Sequence, residues 1–218
     1  MSEPTTTHPA GAPGLAASLR TGTAALHTRA ERSGILADLL RGQAGRAGYA
    51  LLLRNLLPVY RAIEDGLERH RDTELLRPFA RPELYRAPQI AADLAALYGP
   101  DWPDRVGLLP AGARYAYRAA RAAEGDGGGL IAHAYVRTLG DLSGGQVLAR
   151  QLARTLGLPA EALRFYDFAD VPDLAVAKLA WRVALNEVRS PSAPIVHEAR
   201  VAFRLNIALA EAVQAAAR

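Results

Sequence analysis

The residues best able to do chemistry lie between Ala132 and Gln146, AHAYVRTLGDLSGGQ, where Gly140, Gly144, Gly145 and the carboxylate of Asp141 interrupt a helical pattern. Leu130, Ile131, Ala134 and Leu139 precede the glycines at helix-compatible spacing, and VLARQLARTLG continues apolar at the same period until Gly157. Each interior glycine weakens a helix by roughly 1 kcal/mol against alanine, so the three together cost about 3 kcal/mol. Close approach to the backbone, by another helix or by a flat ligand, is what such a bare patch permits. Gly140 and Gly144, four apart, share a face, while Asp141 follows Arg137 by one turn and can pair with it. The pairing would keep the carboxylate ionised and aimed.

Two other readings of LSGGQ fail on the rest of the chain. The signature of ABC-type ATPases requires a GxxxxGK[ST] phosphate loop, but the one lysine, Lys178, sits in VAKLA with no glycine loop before it. The GGQ of peptide-release factors belongs on an exposed loop beside RNA-binding modules, whereas here it has apolar helical flanks.

A second candidate centre is TAALHTRAE. His27 lies on one helix face with Arg20, about 10 Å along the axis, and with Glu31 one turn on. Imidazole on an iron, guanidinium near a propionate and a carboxylate taking the other imidazole N–H would suit a haem. No HExxH or paired histidines suggest zinc; His8, His70, His133 and His197 stand alone. Lys178 and Arg182, four apart, put two cations on one helix face, where they would flank carboxylates or form a solvated basic surface.

These residues need positioning elements, and the pattern supplies helices only. Helices are expected over Leu15–Arg32, Ala47–Arg69 with a kink at Pro58, Pro82–Tyr98, Ala111–Ala123, the glycine-interrupted central stretch, Pro172–Val188 and Pro194–Ala217. The fold class is all-α, one domain over 14–218 preceded by a disordered tail over 1–13. With 218 residues, half of them apolar, the chain can bury a sizeable core. No cysteine is present, which excludes disulfides and thiolate ligands. The net charge of +4 is spread among interleaved acids, so nothing argues for nucleic acid. No signal peptide and no membrane-length apolar run are found.

LHTRAE followed by HAYVRTLGDLSGGQ closely resembles the haem oxygenases. The resemblance runs from about Leu15 to Ala212 and includes YGP at Tyr98–Pro100 and AFRLNIAL at Ala202–Leu209. It implies a single-domain helical fold with haem b, both cofactor and substrate, sandwiched between the first helix and a glycine-kinked distal helix. By this match His27 is the proximal iron ligand, Gly140, Gly144 and Gly145 overlie the other haem face, and Asp141 organises distal water. Tyr60, Tyr115, Arg137 and Asn206 complete the polar network. Arg20, Lys178, Arg182 and Tyr135 fall around the propionates and haem edge, and Glu31 and Phe203 also fall at the haem.

The sequence departs from the mammalian enzymes at Ala24, where a second basic residue precedes the histidine, at Val136, where a threonine follows the tyrosine, and in having no C-terminal membrane anchor. The resemblance therefore implies a cytoplasmic, bacterial-type monomer fed by a soluble donor such as ferredoxin or a flavoprotein reductase. The reaction it implies takes haem, dioxygen and reducing equivalents to biliverdin, carbon monoxide and ferrous iron. A haem-binding or trafficking protein on the same fold is the alternative, against which the presence of Asp141 speaks; a thiamin-type hydrolase would need a cysteine nucleophile. Arg20, Lys178 and Arg182 match α-cleaving members, so chromatography of the product is expected to give mostly the IXα isomer. A β/δ mixture would show that these cations do not fix the haem, and Lys178→Ala with Arg182→Ala is expected to broaden the isomer distribution more than it lowers total yield.

Overall fold

In the computed structural model, which describes residues 13–218, every regular element among the described residues is helical. The tail expected over 1–13, apart from Pro13, and His8 lie outside the described residues. α1 (Leu15–Glu31) buries Leu15, Leu19 and Thr23, the last by returning its hydroxyl to the Leu19 carbonyl at 2.7 Å. α2 (Gly34–Arg41) is a separate short helix that the sequence pattern alone does not separate from a loop; it buries Ile35, Ala37 and Leu39. Gly34 makes the corner possible. Its φ is +60°, and a Cβ there would stand 2.3 Å from the backbone of Ala210.

α3 (Arg46–Arg69) runs without interruption through Pro58, so the expected kink does not break it. The helix expected over Pro82–Tyr98 is divided: a 3-10 turn at Pro82–Leu84 is followed by α4 (Ala87–Tyr98). The cause lies outside the segment. Glu64 of α3 accepts the backbone N–H groups of Arg86 at 2.5 Å and Ala87 at 3.2 Å, capping a new helix start there. α5 (Trp102–Arg105) and α6 (Pro110–Ala122) lead to α7 (Gly128–Gly140). Asp141–Gly145 forms a π turn, and α8 (Gln146–Leu156) continues to Gly157. Two 3-10 turns, Ala160–Ala162 and Arg164–Tyr166, precede α9 (Leu174–Glu187), whose N-terminus is capped by the Asp173 carboxylate at 2.7 Å from Ala175 N. α10 (Ser192–Ala216) closes the chain. None of these helices is long and apolar enough to cross a membrane.

α10 organises the packing. α1, α2, α3, α6 and α7 all rest on it, α3 also packs against α4 and α6, and α9 lies beside α1. Polar contacts fix the angles within this apolar assembly. His133 of α7, fully buried, has its Nε2 2.8 Å from Glu198 Oε1 of α10, and the same carboxylate accepts from Arg118 Nε of α6 at 2.8 Å. Burial by itself would raise the Glu198 carboxyl, but the hydrogen bonds and charges of His133 and Arg118 outweigh it and hold the group at about 2.

A carboxyl depressed on folding stabilises the protein above its unfolded value near 4.5 and ceases to do so as pH falls toward 2. Glu198→Gln is therefore expected to remove on the order of 2 kcal/mol of the stability lost on acidification between pH 4.5 and 2. Denaturant unfolding across that range checks this; an acid limb as steep in the variant as in the native chain would contradict it.

Candidate functional site

Arg137 emerges from α7 into the interior, and its guanidinium joins three elements. Nε and Nη2 donate to the Tyr60 hydroxyl of α3 at 2.9 and 2.7 Å, and Nη1 donates to Asn206 Oδ1 of α10 at 2.8 Å. Nη2 also lies 3.3 Å from Asp141 Oδ1, completing the expected i, i+4 pair. The Tyr60 hydroxyl, accepting from the guanidinium, donates its own proton to Asp141 Oδ2. Four of the expected polar residues, Tyr60, Arg137, Asp141 and Asn206, are thus brought together. Tyr115 is buried nearby on α6, but its hydroxyl has no partner among the described residues.

Burial pushes the Asp141 carboxyl up, and Arg137, Tyr60 and Arg86 reverse only part of the rise. Burial also drives the Tyr60 hydroxyl well above its ordinary value, so that it stays a donor.

The π turn sorts the glycines. Gly140 and Gly144 are exposed, and a Cβ on either would meet nothing within 4 Å. Gly145 does not belong to this face as expected: it points inward, where a Cβ would stand 3.0 Å from Tyr166 Cδ1. Five residues after Gly140 and one after Gly144, Gly145 already falls on another side of the helix at about 100° per residue. The result is a bare, open backbone surface with Asp141 directly behind it.

On α1 the His27 side chain is 56 % exposed, its Nδ1 3.6 Å from Glu31 Oε1. Its ring stands edge-on to that of Phe203, with centroids 5.9 Å apart. Phe203 and Asn206 are three residues apart on α10, so one turn of that helix supports His27 on α1 and Arg137 on α7. Arg20 and Arg182 are exposed, Lys178 and Tyr135 partly so, and the packing of α9 beside α1 brings the helices of the three cations together. Among the described residues no three His, Cys, Asp or Glu side chains gather to hold an ion. The accessible imidazole of His27 and the uncovered glycine surface between α7 and α8 instead fit a metal whose other donors come from a planar macrocycle.

Sequence reasoning did not find Gln146, Phe165 or Tyr166. Gln146 Nε2 donates to the Tyr166 carbonyl at 2.6 Å, and the Phe165 ring stands edge-on to Tyr60 at 5.4 Å between centroids. The first lies within GGQ itself; the other two lie in the segment Phe165–Asp173, which carries no periodic signal.

Comparison with known proteins agrees with this geometry. The Heme oxygenase family model matches residues 13–212. Heme oxygenase 1 of Homo sapiens is 35 % identical over 206 residues, 92 % of this chain and 72 % of that protein. The heme oxygenase of Rhodella violacea is 37 % identical over 197 residues, 88 % of this chain and 84 % of the relative. The crystal structure of heme oxygenase-1 from the cyanobacterium Synechocystis sp. PCC6803 in complex with heme superposes with a TM-score of 0.89 at 33 % identity, covering 94 % of both chains. With the family model spanning nearly the whole described chain, and the open glycine face, the accessible histidine and the buried Arg137 network all in place, this protein belongs to the haem oxygenase family.

Proposed function

We infer that the protein binds haem between His27 and the surface formed by Gly140 and Gly144, and cleaves it with dioxygen and reducing equivalents to biliverdin, carbon monoxide and ferrous iron. One observation carries this reading best: an uncovered glycine surface lies directly over a buried carboxyl that is hydrogen-bonded to a fixed hydroxyl and guanidinium. A mere carrier has no use for a proton-handling group in that place. Bound haem supplies the iron that activates dioxygen and the porphyrin carbon that is oxidised.

The chain's own residues divide the remaining tasks. His27 would hold the haem iron through its imidazole, and Glu31, 3.6 Å from Nδ1, lies where it can steady the ring's charge. Phe203 limits the tilt of that imidazole from below. Gly140 and Gly144 admit the macrocycle close to the backbone, with Tyr135 at its edge. Arg20, Lys178 and Arg182 would hold the propionates of bound haem, and the cations that hold them would select which carbon is attacked. Asp141 holds and returns a proton, while Tyr60, Arg137 and Asn206 keep it aimed.

The physiological setting follows from the same chemistry. Dioxygen and a soluble electron donor, an acidic ferredoxin or flavoprotein reductase, are the partners that the reaction and the +4 charge favour. We further infer a cytoplasmic monomer. Asp141→Ala is expected to bind haem nearly as tightly as the native chain while biliverdin formation falls on the order of a hundredfold, within the range ascribed to positioned proton transfer. Absorbance titration and product yield measure the two effects, and a normal yield from the variant would remove Asp141 from the chemistry.

A further inference from the structure

The turn Asp141–Gly145 presents Gly140 and Gly144 outward and Asp141 inward, so whatever fixes its register fixes both halves of the site. A π turn is a local defect in α-helical hydrogen bonding and persists where its surroundings favour it. Here those surroundings are the 3-10 turn Arg164–Tyr166 on the core side of the helix. The Tyr166 ring lies against Gly145, leaving no room for a Cβ there without a shift of the ring. Its carbonyl accepts from Gln146 Nε2 at 2.6 Å, which ties the first residue of α8 to the same support.

The support is itself immobilised. Asp93 of α4, fully buried, accepts the backbone N–H of Arg164 at 2.8 Å and that of Phe165 at 2.9 Å. Phe165 then stands at 82° to the ring of Tyr60, whose hydroxyl donates to Asp141. One three-residue turn therefore touches the π turn through Tyr166 and the donor to Asp141 through Phe165. Of these contacts, the amide of Gln146 is the one side-chain hydrogen bond that reaches from α8 to the support.

We propose that Gln146 is a positioning residue: by holding its amide on the Tyr166 carbonyl it fixes the π register of Asp141–Gly145 and so aims Asp141 at Tyr60. Losing the donor frees the helix to slip toward regular α-geometry, where a one-residue change of register turns side chains by about 100° relative to one another. The catalytic consequence rests on the role given above to Asp141; the structural one does not.

Gln146→Glu keeps the shape and replaces the donor by an acceptor facing a carbonyl, and Gln146→Ala removes the contact without adding charge. In the ligand-free protein, hydrogen exchange followed by mass spectrometry is expected to be about tenfold faster in peptides covering 141–147 of either variant, with α1 peptides unchanged. In the haem-loaded protein, biliverdin formed per haem consumed should fall about tenfold. Unchanged exchange in both variants would overturn the hold on the turn, and faster exchange with an undiminished product yield would overturn its consequence. Asp141→Ala run alongside separates the two readings: normal turnover there sinks the role of Asp141, while the exchange data still decide whether Gln146 fixes the turn.

Discussion

The arrangement depends on one buried cation. The Arg137 guanidinium lies inside the protein, where an unpaired charge would cost several kcal/mol, and so every one of its neighbours has to be a suitable acceptor in a suitable place. Tyr60 from α3, Asn206 from α10 and Asp141 one turn along supply them. The demand of this charge thus fixes the relative placement of three helices and aligns the Asp141 carboxyl at the same time. Because Tyr60 accepts from Arg137 and donates to Asp141, each bond polarises the next, and the Asp141 carboxyl is held by the bonds that hold the fold.

Around this network the fold needs to do only two further things. It must carry a histidine to the neighbourhood of the network, and it must leave the space beside the network bare. α10 achieves the first by supporting α1 and α7 together, with Phe203 beneath His27 and Asn206 bound to Arg137 a single turn apart. The π turn achieves the second, since it brings Gly140 and Gly144 to the surface while Asp141 and Gly145 stay buried. His133, although closest in sequence to the glycines, is committed to Glu198 inside the core and takes no part.

Much of this was legible in the sequence because it is local. Helix spans follow from apolar spacing, the Arg137–Asp141 pair from a separation of four, and the relation of Arg20, His27 and Glu31 from the same periodicity. What was not legible depends on contacts distant along the chain. The break before α4 is imposed by Glu64, more than twenty residues away, and α2 is defined by a glycine corner pressed against the backbone of Ala210. The period of 3.6 sets Gly145 apart from the face of Gly140 and Gly144, but that its side of the helix is filled by Tyr166 is a tertiary fact. Tyr166 and Phe165 act through tertiary contact alone, in a segment without regular periodicity.

The central claim is that His27 would hold the iron of a bound haem whose other side meets the Gly140–Gly144 surface. Haem titration of His27→Ala, monitored by absorption and resonance Raman spectroscopy with and without added imidazole, tests it most directly. The account predicts that the variant still takes up haem, loses the iron–histidine signature and most turnover, and regains part of both with imidazole. An unchanged iron–histidine signature with undiminished biliverdin formation would contradict it.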